Sequence, residues 1–353
     1  MTQIIKIGNT NIGAGNPCFI IAEAGVNHNG DLDLAKQLII AAKQAGADCV
    51  KFQTFKAENI VLEVAPKADY QLHTTDPAES QFEMLKKLEM DFDNFAEMIR
   101  CCEENEILFL STPYNKADVD LLDNLGVQAF KLASMHLVEP HFLQYVARKG
   151  KPLILSTGMS TMADIDVALR AIRETGNDHI ITLQCTTNYP SKLEDANLLA
   201  MQSFREVFGC EIGYSDHTQG NTACVVATGL GAMVIEKHFT LDRSLPGPDQ
   251  SSSSTPAEFA ELVKVIREAE MVKGASYKEP NPIEVTNAVG MRRSIVAERM
   301  ILAGTVITEE MLAFKRPATG IPVKYIDLIL GKRARNDIQD NRQLKWSDLS
   351  DGV

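Results

Sequence analysis

Two stretches, Tyr214-Ser215-Asp216-His217 and Glu236-Lys237-His238-Phe239-Thr240, decide the fold prediction. Each one ends a short apolar run and is followed first by turn-forming residues and then by a helical pattern. We therefore expect each histidine to lie where a parallel strand ends and its loop begins. In a barrel of alternating strands and helices, all such strand ends meet at one rim, and that rim carries the active site.

The same alternation of apolar run and helical pattern extends over most of the chain. The predicted strands are 18–23, 49–54, 108–111, 129–132, 153–155, 180–184, 211–214 and 232–235. This order predicts an α/β fold, a (β/α)8 TIM barrel. An open doubly wound sheet fits the same order, but no G-x-G-x-x-G follows the first strand. A hairpin around Gly8-Asn9 is expected to plug the floor of the barrel.

The composition of the chain changes after Gly274. We expect residues 1–275 to form the barrel and residues 276–290, with Lys278-Glu279-Pro280-Asn281-Pro282, to form a linker. Residues 291–353 contain short β-like runs separated by Gly and Pro, which predicts a small β-rich domain.

The net charge, the hydropathy pattern and the cysteine spacing exclude several classes of protein. The 353-residue chain has a formal net charge of −12, which argues against nucleic acid or an anionic membrane as a partner. No apolar run approaches the ~20 residues that a membrane-spanning helix needs. The seven cysteines lack the spacing of a zinc cage, so reduced thiols in a cytoplasmic protein are expected.

The two histidines are candidate metal ligands, His217 from one strand end and His238 from the next. Two neutral imidazoles with water or a carboxylate suit a borderline divalent ion such as Mn²⁺, Co²⁺ or Zn²⁺. The alternative is that each histidine is an ordinary hydrogen-bonded polar residue near the surface.

Three lysines, Lys51, Lys131 and Lys237, also fall at predicted strand ends. If they converge, they favour an anion site for a phosphate or a carboxylate. A Schiff-base nucleophile stays open as the alternative, because repulsion between the lysines could lower one pKa.

Further polar residues are predicted at the same rim. Ser134, Ser156 and Ser215 suit an anion, or they are ordinary turn residues. Glu23 and Asp249 are candidates for an acid, a base or an acceptor of sugar hydroxyls.

These motifs resemble the sialic acid synthase family of phosphoenolpyruvate-dependent nonulosonate synthases. The resemblance covers nearly the whole chain through Ile21-Ala22-Glu23-Ala24-Gly25-Val26-Asn27-His28-Asn29-Gly30, Val50-Lys51-Phe52-Gln53-Thr54, Phe130-Lys131-Leu132-Ala133-Ser134, Leu155-Ser156-Thr157-Gly158-Met159, both histidine stretches and Pro246-Gly247-Pro248-Asp249. The C-terminal segment looks like the antifreeze-like (SAF) domain of that family, through Met291-Arg292-Arg293-Ser294 and Lys315-Arg316-Pro317.

The resemblance implies a metal-dependent condensation of phosphoenolpyruvate with an N-acylated amino hexose. N-acetylmannosamine or a close analogue is the expected acceptor, and the product is a 2-keto-3-deoxy nine-carbon acid plus phosphate. A 2,4-diacetamido-trideoxyhexose, as used by legionaminate and pseudaminate synthases, is the alternative acceptor. More remote alternatives are a lysine Schiff-base aldolase and a non-catalytic carbohydrate- or ice-binding protein.

Roles follow from the resemblance residue by residue. His217 and His238 would hold the metal, Mn²⁺ first, with Mg²⁺ or Co²⁺ as alternatives, and act in catalysis with Glu23 and Asp249. The residues expected to bind phosphoenolpyruvate are Lys51, Thr112, Lys131, Ser134, Ser156, Thr187 and Ser215. Tyr189 would contact the sugar. In this family the antifreeze-like domain covers the barrel of a partner subunit, so Arg316 would reach the neighbouring site in a domain-swapped homodimer.

One departure from the family pattern concerns the sugar end. In many relatives the serine of the fourth strand is followed by Gly and then by an acidic residue, whereas this chain has Ser134-Met135-His136. His136 is expected either to contact the sugar or to pack against its neighbours. The unusual stretch 250–254 is expected to reshape the acceptor pocket.

Overall fold

The computed structural model describes residues 3–67, 72, 75, 76 and 78–350. The chain forms two compact units, Met1–Gly274 and Ala275–Val353. Segment 276–290, expected to be a linker, belongs to the second unit and includes most of a helix, Pro282–Met291. The Asn-Pro pair that indicated a linker starts this helix, because the Asn281 side chain accepts a hydrogen bond from Glu284 N and Pro282 occupies the first turn.

The first unit is built on eight parallel strands. After the hairpin β1 (Ile5–Ile7) and β2 (Thr10–Ile12), these strands are β3 (Phe19–Gly25), β4 (Cys49–Thr54), β5 (Leu108–Pro113), β6 (Phe130–Leu132), β7 (Leu153–Ser156), β8 (Ile180–Cys185), β9 (Glu211–Asp216) and β10 (Val234–His238). Their hydrogen-bonded order is β5-β4-β3-β10-β9-β8-β7-β6. The end strands β5 and β6 lie side by side and complete the ring, which confirms the predicted TIM barrel.

Helices alternate with the strands, and all of them except Gln81–Lys86 contribute buried faces that cover the outside of the barrel. They are α1 (Leu32–Gln44), α2 (Gln81–Lys86), α3 (Phe92–Glu104), α4 (Lys116–Asn124), α5 (Pro140–Ala147), α6 (Met162–Arg173), α7 (Ala200–Phe208), α8 (Thr222–Gly229) and α9 (Pro256–Lys273). Asp31 caps α1 by accepting a hydrogen bond from Leu34 N at 3.0 Å. The buried helix faces and the outward-facing strand residues form one large apolar cluster.

The register of the barrel interior decides which side chains reach the rim. Inward-facing residues at the start of the strands join the N-terminal hairpin in a floor cluster that includes Ile5, Ile7, Ile12, Ile21, Cys49, Leu110, Ala129, Ile154 and Val234. This confirms that the hairpin plugs the floor. Because side chains alternate along a strand, residues two positions farther on also face inward. Those residues are Glu23, Lys51, Thr112, Lys131, Ser156 and Glu236.

The second unit is small and rich in β-structure. It contains α10 (Pro282–Met291) and two antiparallel strand pairs, β11 (Ser294–Ala297) with β12 (Leu312–Lys315) and β13 (Arg333–Ala334) with β14 (Leu349–Ser350). Its own core includes Ile295, Ile321 and Leu344. Across the described residues of both units, none of the helices combines the length and apolarity required to cross a membrane.

Candidate active site

A cavity of about 490 Å³ lies at the C-terminal ends of the barrel strands. Its lining includes most of the side chains expected at the rim: Glu23, Lys51, Thr112, Lys131, Ser134, Ser156, Thr187, Tyr189, Ser215, His217, His238 and Asp249. The strand register explains part of this convergence, because Glu23 pairs with Lys51 on one side and with His238 on the other. Three of the barrel features expected at the site lie outside this lining: His136, Lys237 and the stretch 250–254.

His136 is packed rather than open to the cavity. It is 1% exposed, and its ring centroid lies 4.5 Å from that of Phe142 and 5.7 Å from that of Tyr114. Its Nδ1 lies 3.0 Å from Glu139 Oε2. Of the two roles expected for this residue, packing is the one that the structure shows.

Two buried lysines form the cationic part of the site. Lys51 Nζ lies 2.6 Å from Glu23 Oε2 and donates to Thr112 Oγ1 at 3.2 Å. Lys131 Nζ donates to Ser156 Oγ at 2.7 Å. Burial favours the neutral amine, but the adjacent carboxylates hold the pKa of Lys51 above its ordinary value, whereas burial prevails and lowers the pKa of Lys131.

Glu236 is a site residue that the sequence reasoning missed. Its carboxylate lies between the two ammonium groups, 4.0 Å from Lys51 Nζ and 3.5 Å from Lys131 Nζ. Ser215 Oγ donates to Glu236 Oε1 at 3.0 Å. Burial opposes ionisation, but both lysines hold the pKa of Glu236 below its ordinary value. The period of two along a strand could have identified it, since Glu236 shares the inward face with His238.

Lys237 does not join the other two lysines. It lies on the outward side of β10, where its Nζ bonds the Asp216 carboxylate and donates to Thr218 O at 2.7 Å. Asp216 also accepts a hydrogen bond from Tyr214 OH at 3.0 Å. The expectation of three converging lysines is therefore wrong, because alternation puts Lys237 on the opposite face from Glu236 and His238.

The two histidines face one another across the rim. Their ring centroids lie 5.4 Å apart, and the Tyr189 ring lies 4.2 Å from His217 and 5.4 Å from His238. His217 Nδ1 lies 2.6 Å from Thr186 O, a carbonyl that only accepts, so in the neutral imidazole the proton is on Nδ1 and the lone pair is on Nε2. His238 Nδ1 is buried and has no hydrogen-bond partner in the described part of the chain.

This donor set fits a divalent metal that takes two ligands from the protein. Nδ1 of His238 lies 3.9 Å from Asp249 Oδ2, and burial together with His217 lowers the pKa of His238, which keeps its imidazole neutral. Among the described residues, no group of three or more His, Cys, Asp or Glu side chains is arranged to hold an ion. Further ligands would therefore come from water or substrate.

The site contains two carboxyl groups that change protonation near neutral pH. Burial raises the pKa of Glu23 to about 7, against the opposing effect of Lys51. Burial also raises the pKa of Asp249 to about 6, against His217 and Lys51. Carboxyl groups with such pKa values can exchange protons with a substrate at neutral pH.

The loop that carries Asp249 is fixed by buried hydrogen bonds. Ser253 Oγ donates to Asp249 O at 2.7 Å, Asn27 Nδ2 donates to Ser253 Oγ at 2.9 Å, and Gln250 Nε2 donates to Asn27 O at 2.9 Å. Residues 250–254 lie outside the cavity lining. The expectation that they reshape the acceptor pocket is corrected: they support the loop from behind.

The hydroxyl groups of Ser134 and Thr187 meet over Gly158. Gly158 N donates to Ser134 Oγ at 3.0 Å. A Cβ at Gly158 would lie 2.8 Å from Ser134 Oγ and even closer to Thr187 Oγ1. Only glycine allows both hydroxyls to reach the same part of the cavity. Lining residues that the sequence reasoning did not single out for the site include Gln53, Tyr114, Cys185 and Asn188.

Arg316 belongs to the second unit. It is exposed and directly follows β12, at a cis peptide bond with Pro317. Its expected contact with the barrel of a partner subunit stays a prediction.

Comparison with known proteins gives the family. A family model described as the NeuB family matches residues 38–278, and a SAF domain model matches residues 292–350. An N,N'-diacetyllegionaminic acid synthase from Legionella pneumophila is 42% identical over 341 residues, covering 96% of both chains. A pseudaminic acid synthase from Campylobacter jejuni is 34% identical, covering 98% of this chain and all of its own.

A solved structure gives the same result. The N-acetylneuraminic acid synthetase from Leptospira borgpetersenii, crystallised with citrate, superposes with a TM-score of 0.73 at 33% identity, over 81% of this chain and 95% of its own. The chain is therefore a synthase that belongs to the NeuB family and carries a SAF domain at its C-terminal end.

Proposed function

We propose that this enzyme condenses phosphoenolpyruvate with the open-chain aldehyde of an N-acylated amino hexose. The observation that carries the proposal is a single cavity in which two buried lysines with hydroxyl neighbours lie beside two facing histidines and two titratable carboxyl groups. The family relationship supports it, since relatives are named for sialic-acid-type products.

Phosphoenolpyruvate is assigned to the lysine end of the cavity. Lys51 and Lys131 would neutralise its phosphate and carboxylate, and Ser134, Ser156, Thr187 and Ser215 would donate hydrogen bonds to the same oxygens. Glu236 would keep the two ammonium groups apart and oriented. Glu236 already balances part of the lysine charge, so the remaining positive charge of the site is too small to neutralise both anionic groups of the substrate.

That charge balance supports a divalent cation as cofactor. Glu23, Glu236 and Asp249 also line the cavity, so binding of a substrate that carries a phosphate and a carboxylate would leave the site with an excess of negative charge. His217 and His238 would hold the ion, Mn²⁺ first and Mg²⁺ or Co²⁺ as alternatives. When bound, the ion supplies Lewis-acid polarisation of the aldehyde oxygen.

The reaction balances with one water. C3 of phosphoenolpyruvate bonds to the aldehyde carbon, and water adds at C2 with loss of one proton. The resulting C2 hydroxyl then collapses to the ketone, the bond from C2 to the bridging oxygen breaks, and phosphate leaves with the second proton of the water. We assign Glu23 and Asp249 to the two proton transfers, in which one group takes the proton of the attacking water and the other protonates the former aldehyde oxygen, because burial gives both carboxyl groups pKa values near neutrality. Tyr189, whose ring centroid lies 4.2 Å from that of His217, would contact the acceptor.

The functional unit that we propose is a homodimer in which Arg316 of one subunit completes the site of the other. Arg316→Ala should lose turnover, and mixing it with a barrel variant such as His238→Ala should restore part of it in hybrid dimers. If the mixture shows no complementation, Arg316 does not complete the site of the partner subunit.

The test of the proposed function is phosphate release from phosphoenolpyruvate, measured with metal and N-acylated amino sugar each present or omitted. Release should require both. Full turnover after treatment with EDTA would overturn the role of the metal. Borohydride trapping of a pyruvate adduct on Lys51 or Lys131 would instead establish an aldolase.

A further inference from the structure

A buried ion pair joins the two strands that carry the histidines. Asp216 directly precedes His217, and Lys237 directly precedes His238. The side chains of this pair are 0% and 5% exposed. The parallel pairing of β9 with β10 ends where Lys237 lies opposite Asp216. Each histidine therefore follows the last position at which the pairing of these two strands fixes their spacing.

The Asp216 carboxylate is held from several directions. It accepts hydrogen bonds from Lys237 Nζ, from Thr218 N at 2.8 Å, from Tyr214 OH at 3.0 Å and from Cys224 Sγ at 3.1 Å. The bond from Thr218 N closes a turn in which His217 is the middle residue. Because a carboxylate with this many donors has one position, the turn that presents His217 is fixed as well.

Lys237 connects this turn to the strand of the second histidine. Besides its bond to Asp216, its Nζ donates to Thr218 O at 2.7 Å. The residue before His238 thus binds both residues that flank His217. A shift of one histidine relative to the other would break a buried hydrogen bond in which one partner is charged.

The His238 ring depends on the backbone for its position. Its Nδ1 has no hydrogen-bond partner among the residues that the structure describes. The backbone is held on the side away from β9, because Phe239 N donates to Glu23 O at 2.7 Å and Ser254 N donates to His238 O at 2.8 Å. On the side of β9, the side-chain contacts to the turn at His217 come from Lys237.

We propose that Asp216 and Lys237 are positioning residues for the metal, and that their ion pair holds the two imidazoles at a separation that one divalent cation can bridge. This rests on the proposed function, in which His217 and His238 hold the ion. With two protein ligands, the affinity for the ion depends on how well their spacing is set before the ion arrives. Neither side chain of the pair touches the ion; both act through the histidines that follow them.

The test is Mn²⁺ binding to the substrate-free protein, measured from the electron paramagnetic resonance signal of the free ion. Lys237→Met keeps the length of the side chain and removes its donors. We expect the Kd for Mn²⁺ to rise by at least about 10-fold, the low end of what loss of a group supporting a metal ligand costs. At saturating Mn²⁺ the KM for phosphoenolpyruvate should keep its wild-type value, because Lys51 and Lys131 lie on other strands.

The double variant Asp216→Asn/Lys237→Met separates positioning from charge compensation. No unpaired charge of this pair remains buried, so the double variant should regain part of the thermal stability that Lys237→Met loses. Its affinity for Mn²⁺ should stay low, since the link between the two strands is still missing. The absorption spectrum of bound Co²⁺, which reports the geometry of its ligands, should differ from that of wild type in both variants even at saturating metal.

The matched control is Lys67→Met. The Lys67 side chain is 1% exposed and its Nζ lies 3.0 Å from Glu79 Oε1, so a buried ion pair is lost here too. Neither residue lines the cavity or adjoins either of the two histidines. This variant should lose stability but keep the wild-type Kd for Mn²⁺ and the wild-type Co²⁺ spectrum.

The outcomes separate this inference from the proposed function. If His238→Ala binds Mn²⁺ as tightly as wild type, the proposed metal site fails and the inference fails with it. If His238→Ala loses Mn²⁺ while Lys237→Met keeps the wild-type Kd, the inference alone fails. It also fails if the double variant regains wild-type affinity together with its stability, or if Lys67→Met weakens Mn²⁺ binding as much as Lys237→Met does.

Discussion

Glu236→Gln removes one negative charge from between two buried ammonium groups. Lys51 and Lys131 are each 3% exposed, and the Glu236 carboxylate lies 4.0 Å and 3.5 Å from their Nζ atoms. Glutamine keeps the shape of the side chain but leaves Lys131 with no carboxylate within 4.0 Å among the described residues. The variant therefore tests whether Glu236 is what allows the two lysines to lie together.

The size of the effect follows from the geometry. Unit charges 4 Å apart interact by about 4 kcal/mol at an effective dielectric constant of about 20. Removal of one partner from a buried ion pair costs about 3–5 kcal/mol. We therefore expect the free energy of unfolding to fall by about 3–5 kcal/mol and the midpoint of thermal unfolding by about 10 °C. Phosphoenolpyruvate should restore part of this loss, since its anionic groups replace the missing carboxylate.

Glu211 on the neighbouring strand provides the control. It is also 3% exposed, but its carboxylate has no hydrogen-bond partner in the described part of the chain, and burial raises its pKa. Glu211→Gln should therefore leave stability unchanged or slightly raise it. Thermal unfolding followed by circular dichroism compares the two variants. Equal midpoints for both would refute the reasoning that Glu236 compensates the lysine pair.

Four further expectations follow from the site. His217→Ala and His238→Ala should each abolish metal-dependent phosphate release and weaken Mn²⁺ binding measured by calorimetry. If Mn²⁺ binding is unchanged, the two histidines are not the metal ligands. Gly158→Ala should raise the KM for phosphoenolpyruvate by about 10-fold or more in steady-state kinetics, because the new Cβ displaces two hydroxyls. Lys237→Met should lower the free energy of unfolding in urea titrations by about 3 kcal/mol, because Asp216 is left buried and unpaired. The same variant should leave the KM for phosphoenolpyruvate unchanged, and a large rise in this KM would show that Lys237 contributes to the phosphoenolpyruvate site.

The barrel could be predicted from sequence because buried parallel strands are continuous apolar runs that alternate with helical patterns. The end of each run marks the rim, which is why residues as far apart as Glu23 and His238 could be assigned to one site. Strand ends, however, shift by one or two residues in such a prediction. A shift of one residue exchanges the two faces of a strand. For this reason Lys237 was assigned to the site and Glu236, its neighbour on the inward face, was overlooked.

Other features could not be predicted from the sequence for a different reason. The roles of His136 and of residues 250–254 depend on packing between segments distant in the chain, such as Asn27 with Ser253. The segment between β4 and α3 is mostly polar in sequence, and only the folded chain shows that its apolar residues Phe55, Ile60, Val61, Met84 and Leu85 line the cavity. The helix Pro282–Met291 was not predicted because a Pro-rich stretch is compatible both with a linker and with the start of a helix.

The most direct test of the account is mass spectrometry of the small molecules formed from phosphoenolpyruvate, Mn²⁺ and an N-acylated amino sugar. The account predicts a nine-carbon 2-keto acid, formed with one phosphate per molecule and absent when any component is omitted. Pyruvate accumulating with no condensed acid, or a condensed acid formed equally well from pyruvate, would contradict it.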